Sequence, residues 1–320
     1  MLPGIRDWSV KELRAAVSSV TSFRPDAVHF QFPARGYGRL QWVLPGILRA
    51  KGFKVFLTLH EYYEVRDAES FLAATLFFPN ILSASGISVT TADHLDSVPQ
   101  IYRWILGVKP VRHIPIGSNI HTCGLSEEDR CSVRSSYGIV DAREAMISYF
   151  GFVSPNKGVE AIFDVADPKE HRVILACELS NADACHRAIA ERIATPPWKG
   201  RAMVTGFLRS EEVGRLLDSS DAVVFPFRNG VRVGHGSLEA ALAQGTFTLT
   251  TSRRRNGYDP GENIYYARPG DIPEMSRALK SHLGTRVRVS PDHSWRKWRR
   301  IAKQHLELYS SVLPDMGRGK

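Results

Sequence analysis

Two loops carry the residues whose types and spacing invite chemistry. In "GFVSPNKGVEAIF", residues 151–163, a turn of small residues follows the apolar run "MISYF" and sets Lys157 beside Gly158, ahead of an apolar-periodic segment. In "DAVVFPFRNGVRVGHGSLEAALAQGTFTLTT", residues 221–251, a strand ends at Pro226, a glycine-punctuated loop follows, and a helix opens at about Ser237 and stops at Gly245. Backbone N–H groups at a helix amino end form a ready site for phosphate, and Gly234 and Gly236 permit close approach of the backbone. Lys157, in the equivalent loop after another strand, can reach the same anion, while Arg228, Arg232 and His235 crowd the site with charge-assisted donors. The chemistry these residues suit is the holding of a phosphorylated ligand.

The elements around these loops read as α/β. "AVHFQF", "KVFLTLH", "ISVTT" and "VRHIPI" are expected as strands, with helices near 39–50, 68–78 and 93–106. Residues 121–145 break the rhythm with polar, turn-forming residues and are expected to hold the domain junction. In the second half "MISYFG", "RVILAC", "RAMVTG", "DAVVFPF" and "TFTLTT" alternate with helical segments at 158–166, 182–194, 210–218 and 237–244, the pattern of a doubly wound domain. Ligands of such sheets bind beyond the carboxyl ends of the strands, so the loops after Phe150, Gly206 and Phe225 are the places to look. The tail "SWRKWRRIAKQHLELYSSVL" spaces Trp295, Trp298, Ala302, Leu306, Tyr309 and Leu313 by threes and fours among basic residues, an amphipathic helix suited to packing on the body of the protein or to an anionic membrane face.

Composition narrows the partners. The 320 residues, 43 % hydrophobic, can bury cores in two domains of about 150 residues each. A net charge of +9 suits a phosphorylated partner or an anionic membrane, and the chain carries no nucleic-acid-binding module. Cys123, Cys131, Cys177 and Cys185 lack metal-ligand spacing and are expected as free thiols. With no run long enough to span a bilayer and no secretion signal, the expected location is the cytoplasm, with a peripheral contact at the inner face of the membrane. No D-x-D carboxylate pair that could hold a divalent ion against a diphosphate occurs, so no metal is expected, and no cofactor is expected either.

In this order, "YFGFVSPNKGVEAI" and "VVFPFRNGVRVGHGSLEAALAQGTFTLTT" resemble the donor half of the retaining glycosyltransferases of family 4. "PDAVHFQF", "VFLTLHE" and "HIPIGSNI" look like strands of that family's acceptor-side domain, and "SWRKWRRIAKQHLELY" is similar to its terminal helix, which crosses back to the first domain. The resemblance implies the GT-B fold, two Rossmann-like domains facing a cleft. The expected boundaries are 1–135 for the acceptor-side domain, 136–290 for the donor domain and 291–320 for the terminal helix. It also implies transfer of a sugar, with retention and without a metal, from a nucleoside-diphosphate donor to a saccharide or lipid-linked acceptor. Lys157 stands at the position of the lysine on the donor diphosphate, Glu239 at that of the ribose-binding glutamate, and His60 at that of the histidine beside the transferred sugar. Gly236, Ser237, His235, Arg232 and Arg228 fall in the donor loop. Phe152 replaces an arginine, Val231 replaces the first glutamate of the family's pair, and the stretch before "PDAVHFQF" is short for that family's first strand and glycine-rich loop. These departures keep two alternatives open: a non-catalytic nucleotide-binding or partner subunit, and a nucleotide-sugar epimerase.

Overall fold

The computed structural model describes residues 9–32, 43–60, 68–90, 107–141, 143–231, 235–290 and 293–313. In chain order the elements are α1 (Val10–Phe23), β1 (Ala27–Phe32), α2 (Leu44–Ala50), β2 (Lys54–Leu59), α3 (Ala68–Ser83), β3 (Gly86–Val89), β4 (Val111–His113) and α4 (Glu127–Ser136). There follow β5 (Ala145–Phe150), two 3-10 turns (Pro155–Lys157 and Val159–Ala161), α5 (Ile162–Val165), β6 (His171–Ala176), α6 (Ala184–Ala194), β7 (Ala202–Val204) and α7 (Ser210–Ser219). The chain continues through β8 (Ala222–Phe225), α8 (Gly236–Leu242), β9 (Thr248–Thr251), β10 (Gly257–Asp259), β11 (Ile264–Ala267), α9 (Ile272–His282) and α10 (His293–Ser310). The helix expected at 93–106 lies outside the described residues.

The chain forms two compact units, Met1–Ile116 with Arg299–Lys320, and Gly117–Trp298. In the first, four parallel strands run in the order β1-β2-β3-β4, with Ala27 opposite Lys54 and Phe56 opposite Gly86. β2 is buried along Val55–Leu59, as a strand covered on both faces must be. A Cβ at Gly86 would lie 2.9 Å from the Phe56 ring and 3.2 Å from Leu308, so glycine there lets α10 approach the sheet. The hydroxyl of Tyr309 joins His29 Nδ1 at 2.5 Å, His29 Nε2 joins Thr58 Oγ1 at 2.8 Å, and Thr58 joins Ser88 at 2.6 Å, a polar chain that satisfies each buried group in turn. Burial, then the nearby His305 and His60, push His29 down to about 4. The buried positions of α10 include Ile301 and Leu308, whereas Ala302 and Leu306 of the expected stripe are exposed. Tyr309 of the expected stripe does pack, edge-on, against the rings of His29 and Phe56, beside the buried Leu308.

The second unit holds seven strands in the order β10-β11-β9-β8-β5-β6-β7, parallel except for the β10–β11 pair. Strand order reverses between β5 and β8, the topological switch at which a doubly wound sheet opens a crevice. Ile147, Val173, Leu175, Val223, Phe225 and Leu249 are fully buried at its centre. The unit begins at Gly117, upstream of the boundary expected at residue 135, because the polar stretch read as a junction contains α4. Ser126 caps α4 on the Asp129 amide, Arg130 Nε donates to Asp218 at 2.8 Å, and Arg134 Nη1 donates to Asp221 at 2.5 Å. Those ion pairs fasten to α7 and β8 a helix with little apolar face of its own.

Candidate functional site

The site in the second unit is built where β5 and β8 end. Gly151 follows β5 at φ 141°, and a Cβ there would meet Ser237 Oγ at 3.5 Å, so this loop borders the start of α8. Tyr149 Oη donates to the Phe152 carbonyl at 2.7 Å, fixing the backbone while the Phe152 ring stands 88 % exposed. The chain then turns through Pro155–Lys157 into Gly158, whose φ of 62° is the left-handed conformation that suits glycine. A Cβ at Gly158 would lie 2.3 Å from the Pro226 carbonyl oxygen. Only a residue without a side chain lets this loop close against the one after β8.

Further contacts lock the two loops. The Arg228 amide donates to the Asn156 carbonyl at 3.1 Å, and Asn229 Nδ2 donates to Asn156 Oδ1 at 3.2 Å. Arg228 sends Nε (3.0 Å) and Nη2 (2.5 Å) to Glu160 Oε1, so its charge has a partner of its own and ties the loop after β8 to the turn after β5. Thr251 Oγ1 donates to the Phe227 carbonyl at 2.5 Å, and the Val231 amide donates to Thr251 O at 2.6 Å. Val231, at the place of the expected glutamate, is partly buried against the core. A carboxylate there would exchange that apolar contact for a desolvated charge.

Phe227, which the sequence marks only as the end of a strand, lies at the centre of this cluster. Its ring carries the Lys157 ammonium at 4.8 Å and stacks on His235 with centroids 4.8 Å apart and planes at 27°. A cation over an aromatic face gains about 0.5–1 kcal/mol at an exposed site. His235 precedes α8 and makes no side-chain cap bond to it, and among the described residues nothing lies within 4 Å of a Cβ built at Gly236. Glu239 lies in the first turn, its amide bonded to the His235 carbonyl at 3.0 Å and its carboxylate paired with Lys297. That pairing has no local sequence signal, since the partners are 58 positions apart.

The structure therefore brings Lys157, Arg228, His235, Gly236 and Ser237 together around Phe227, with Glu239 one turn into α8. Arg232 lies outside the described residues. His60 belongs to the first unit, at the carboxyl end of β2, where its Nε2 donates to Gln31 Oε1 at 2.7 Å and its amide donates to Phe32 O at 3.0 Å. Among the described residues no group of three His, Cys, Asp or Glu side chains is placed to hold a metal ion, no helix is long and apolar enough to cross a membrane, and all four cysteines are free.

No family model matches the sequence. A GDP-mannose:glycolipid 4-β-D-mannosyltransferase of Xanthomonas campestris pv. campestris is 24 % identical over 173 residues, 53 % of this chain and 49 % of the relative, so the match spans about half the relative's length. Among solved structures, sucrose-phosphate synthase from Thermosynechococcus elongatus superposes with a TM-score of 0.69 at 16 % identity, covering 95 % of this chain and 78 % of that one. Anabaena HepE, solved in complex with UDP and glucose, gives 0.68 at 14 % identity over 96 % of this chain and 84 % of its own. A glycosyltransferase from Rickettsia africae gives 0.67 at 11 % identity over 98 % and 84 %. Matches that run through both units at such low identity fix the architecture: the chain has the α/β, GT-B glycosyltransferase fold.

Proposed function

We propose that the protein is a glycosyltransferase that moves a sugar from a nucleoside-diphosphate donor to a saccharide or lipid-linked acceptor, in polysaccharide or glycoconjugate synthesis. The observation that carries this reading is the Lys157 ammonium, held on Phe227 where that ring stacks on His235 at the start of α8, at the strand-order switch of the second sheet. Lys157 offsets the charge that develops on the departing diphosphate, and the Gly236 and Ser237 amides and the ring of His235 border the same anion. Arg228 keeps the loop in place, Arg232 lies in the same loop sequence, Glu239 accepts from the ribose hydroxyls, and His60 stands by the transferred sugar. With retention, the acceptor hydroxyl attacks the anomeric carbon on the face the diphosphate leaves, the carbon–phosphate-oxygen bond breaks, and the departing phosphate oxygen takes the proton. No metal or cofactor takes part, and the positive side chains do the work of a divalent ion.

The reading is tested by thermal unfolding with UDP-, GDP- and ADP-sugars, where a donor at 100 times its Kd adds about 2.7 kcal/mol of stability. No shift with any of them sinks it. Product configuration tests retention, since the similar Xanthomonas protein is named for a β-linked mannosyl product. A non-catalytic nucleotide-binding subunit is the second reading, favoured by exposed Phe152 and core-packed Val231; it predicts a thermal shift without transfer or donor hydrolysis. The proposed location is the cytoplasm, with peripheral attachment through the exposed Arg299, Arg300 and Lys303 of α10, each worth about 1 kcal/mol near an anionic surface. Absence of co-sedimentation with anionic vesicles at low salt overturns the attachment.

A further inference from the structure

The pair between Lys297 and Glu239 joins the first turns of α10 and α8 within the second unit. Its side chains are 30 % and 16 % exposed, so water screens it less than a surface ion pair. The lysine is held in register by its neighbour. The Trp298 indole N–H donates to the Ser118 carbonyl at 2.8 Å, and a Cβ on Gly117 would lie 2.9 Å from the Trp298 ring, so only glycine leaves room for this seat. Lys297 is therefore delivered to a fixed point beside α8 and does not search for a partner from a frayed end.

The chemistry of the carboxylate gives the pair a use. Glu239 sits in the first turn of α8, its amide bonded to the His235 carbonyl. Lys297 takes Oε2, and among the described residues no second side chain or amide donates to Oε1. An ionised carboxylate accepts at both oxygens, so Oε1 retains its acceptor capacity. A lone glutamate would have to give up rotamer freedom to meet two vicinal hydroxyls, and a glutamate already clamped at one oxygen has given it up beforehand.

We infer that Lys297 is a positioning residue for nucleotide recognition: it clamps one oxygen of Glu239 so that the other faces the ribose hydroxyls. The inference rests on the donor-site reading of Glu239. It assigns the start of the terminal helix to the ribose half of the site and leaves the diphosphate half to Lys157.

The test titrates UDP, GDP and ADP, each with its 2′,3′-dideoxy counterpart, into the parent protein, K297M and K297R. For the diphosphate the parent binds, K297M is expected to lose about tenfold in affinity, the cost of a disordered charged acceptor, while the dideoxy form loses less than about twofold. K297R, which keeps the charge but not the point-like ammonium, should preserve the ribose preference to within about threefold. Equal losses on both nucleotide forms mark a merely structural residue and overturn the inference. Unchanged or tighter binding by K297M also overturns it, since Lys297 would then be idle or a competitor of the ribose. Should K297M not fold, K297Q must lose the ribose preference that K297R keeps, and its retention of the preference overturns the inference. A parent that binds none of the three diphosphates overturns the donor-site reading, and the inference with it, which separates that failure from failure at Lys297 alone.

Discussion

The sheets of the two units are built from similar strands and differ in their order. The second unit winds outward from β5 in one direction and from β8 in the other, while the described sheet of the first runs β1-β2-β3-β4 in sequence with no reversal. A reversal sends adjacent loops to opposite sides and leaves a gap between them. Here the loops after β5 and β8 border that opening, tied to each other through Asn156, Arg228 and Glu160, and the side chains placed at Phe227 come from both. His60, at the end of β2, has instead a near neighbour from β1, Gln31. The difference teaches that the gathering of Lys157, Phe227 and His235 follows strand order more than strand composition, since both sheets bury comparable runs of Val, Ile and Leu.

The comparison is most exposed to failure at Gly158. Replacing it by valine imposes a side chain at φ 62° with its Cβ 2.3 Å from the Pro226 carbonyl. The left-handed conformation costs about 1–2 kcal/mol and the displaced backbone adds to it, for a loss of at least about 3 kcal/mol. Denaturant unfolding and diphosphate titration should both register the change, and a variant that binds nucleotide normally would show that the loop closure is dispensable. Next in size, Lys157→Ala should weaken nucleoside diphosphate by about 1.5–3 kcal/mol and leave the nucleoside unaffected. Calorimetry with both ligands checks this, and equal affinities for the diphosphate remove Lys157 from the site.

Acid should act on the first unit through His29. The unfolded chain takes up this proton near pH 6.5 and the folded chain only near pH 4. The unfolded state thus binds more protons between those values, and stability present above pH 6.5 is lost as pH falls through the window, by about 2 kcal/mol once partial exposure is allowed for. His171 in the second unit is lowered in the same direction, by burial, so His29→Gln should flatten the pH dependence of unfolding without abolishing it. An unchanged slope in that variant would mean that His29 does not titrate with unfolding. A smaller effect is expected for Gly52→Ala, because at φ 92° nothing lies within 4 Å of the new Cβ and the cost is backbone strain alone, about 1 kcal/mol. Chelation by EDTA should change transfer not at all, and activity restored by magnesium or manganese would contradict the metal-free reading.

Where local pattern dictated structure, the sequence was readable. "MISYFG" became Ala145–Phe150 and "RVILAC" became His171–Ala176, because a strand covered on both faces must be continuously apolar. The helix expected at 237 begins at Gly236. Pattern failed where partners are distant. Glu127–Ser136 looks like a junction until Asp218 and Asp221 are seen to hold its arginines. Phe227 reads as one more strand hydrophobe, and its role appears only when the turn after β5 lays Lys157 over it. Likewise, Lys297 belongs to a basic run in sequence, and only the seating of Trp298 against Gly117 singles it out.

The division of the chain also bears on its synthesis. Residues 117–298 form an uninterrupted unit that can fold as soon as it has left the ribosome, whereas the first unit is assembled from 1–116 and 299–320. Domains fold as units in the order in which their segments emerge, at roughly 5–20 residues per second. Until Leu308 covers Gly86 and Tyr309 reaches His29, the earlier-made sheet waits with an uncovered apolar face. The sheet made first thus belongs to the unit completed last, and its apolar face stays uncovered through the whole synthesis of the second unit.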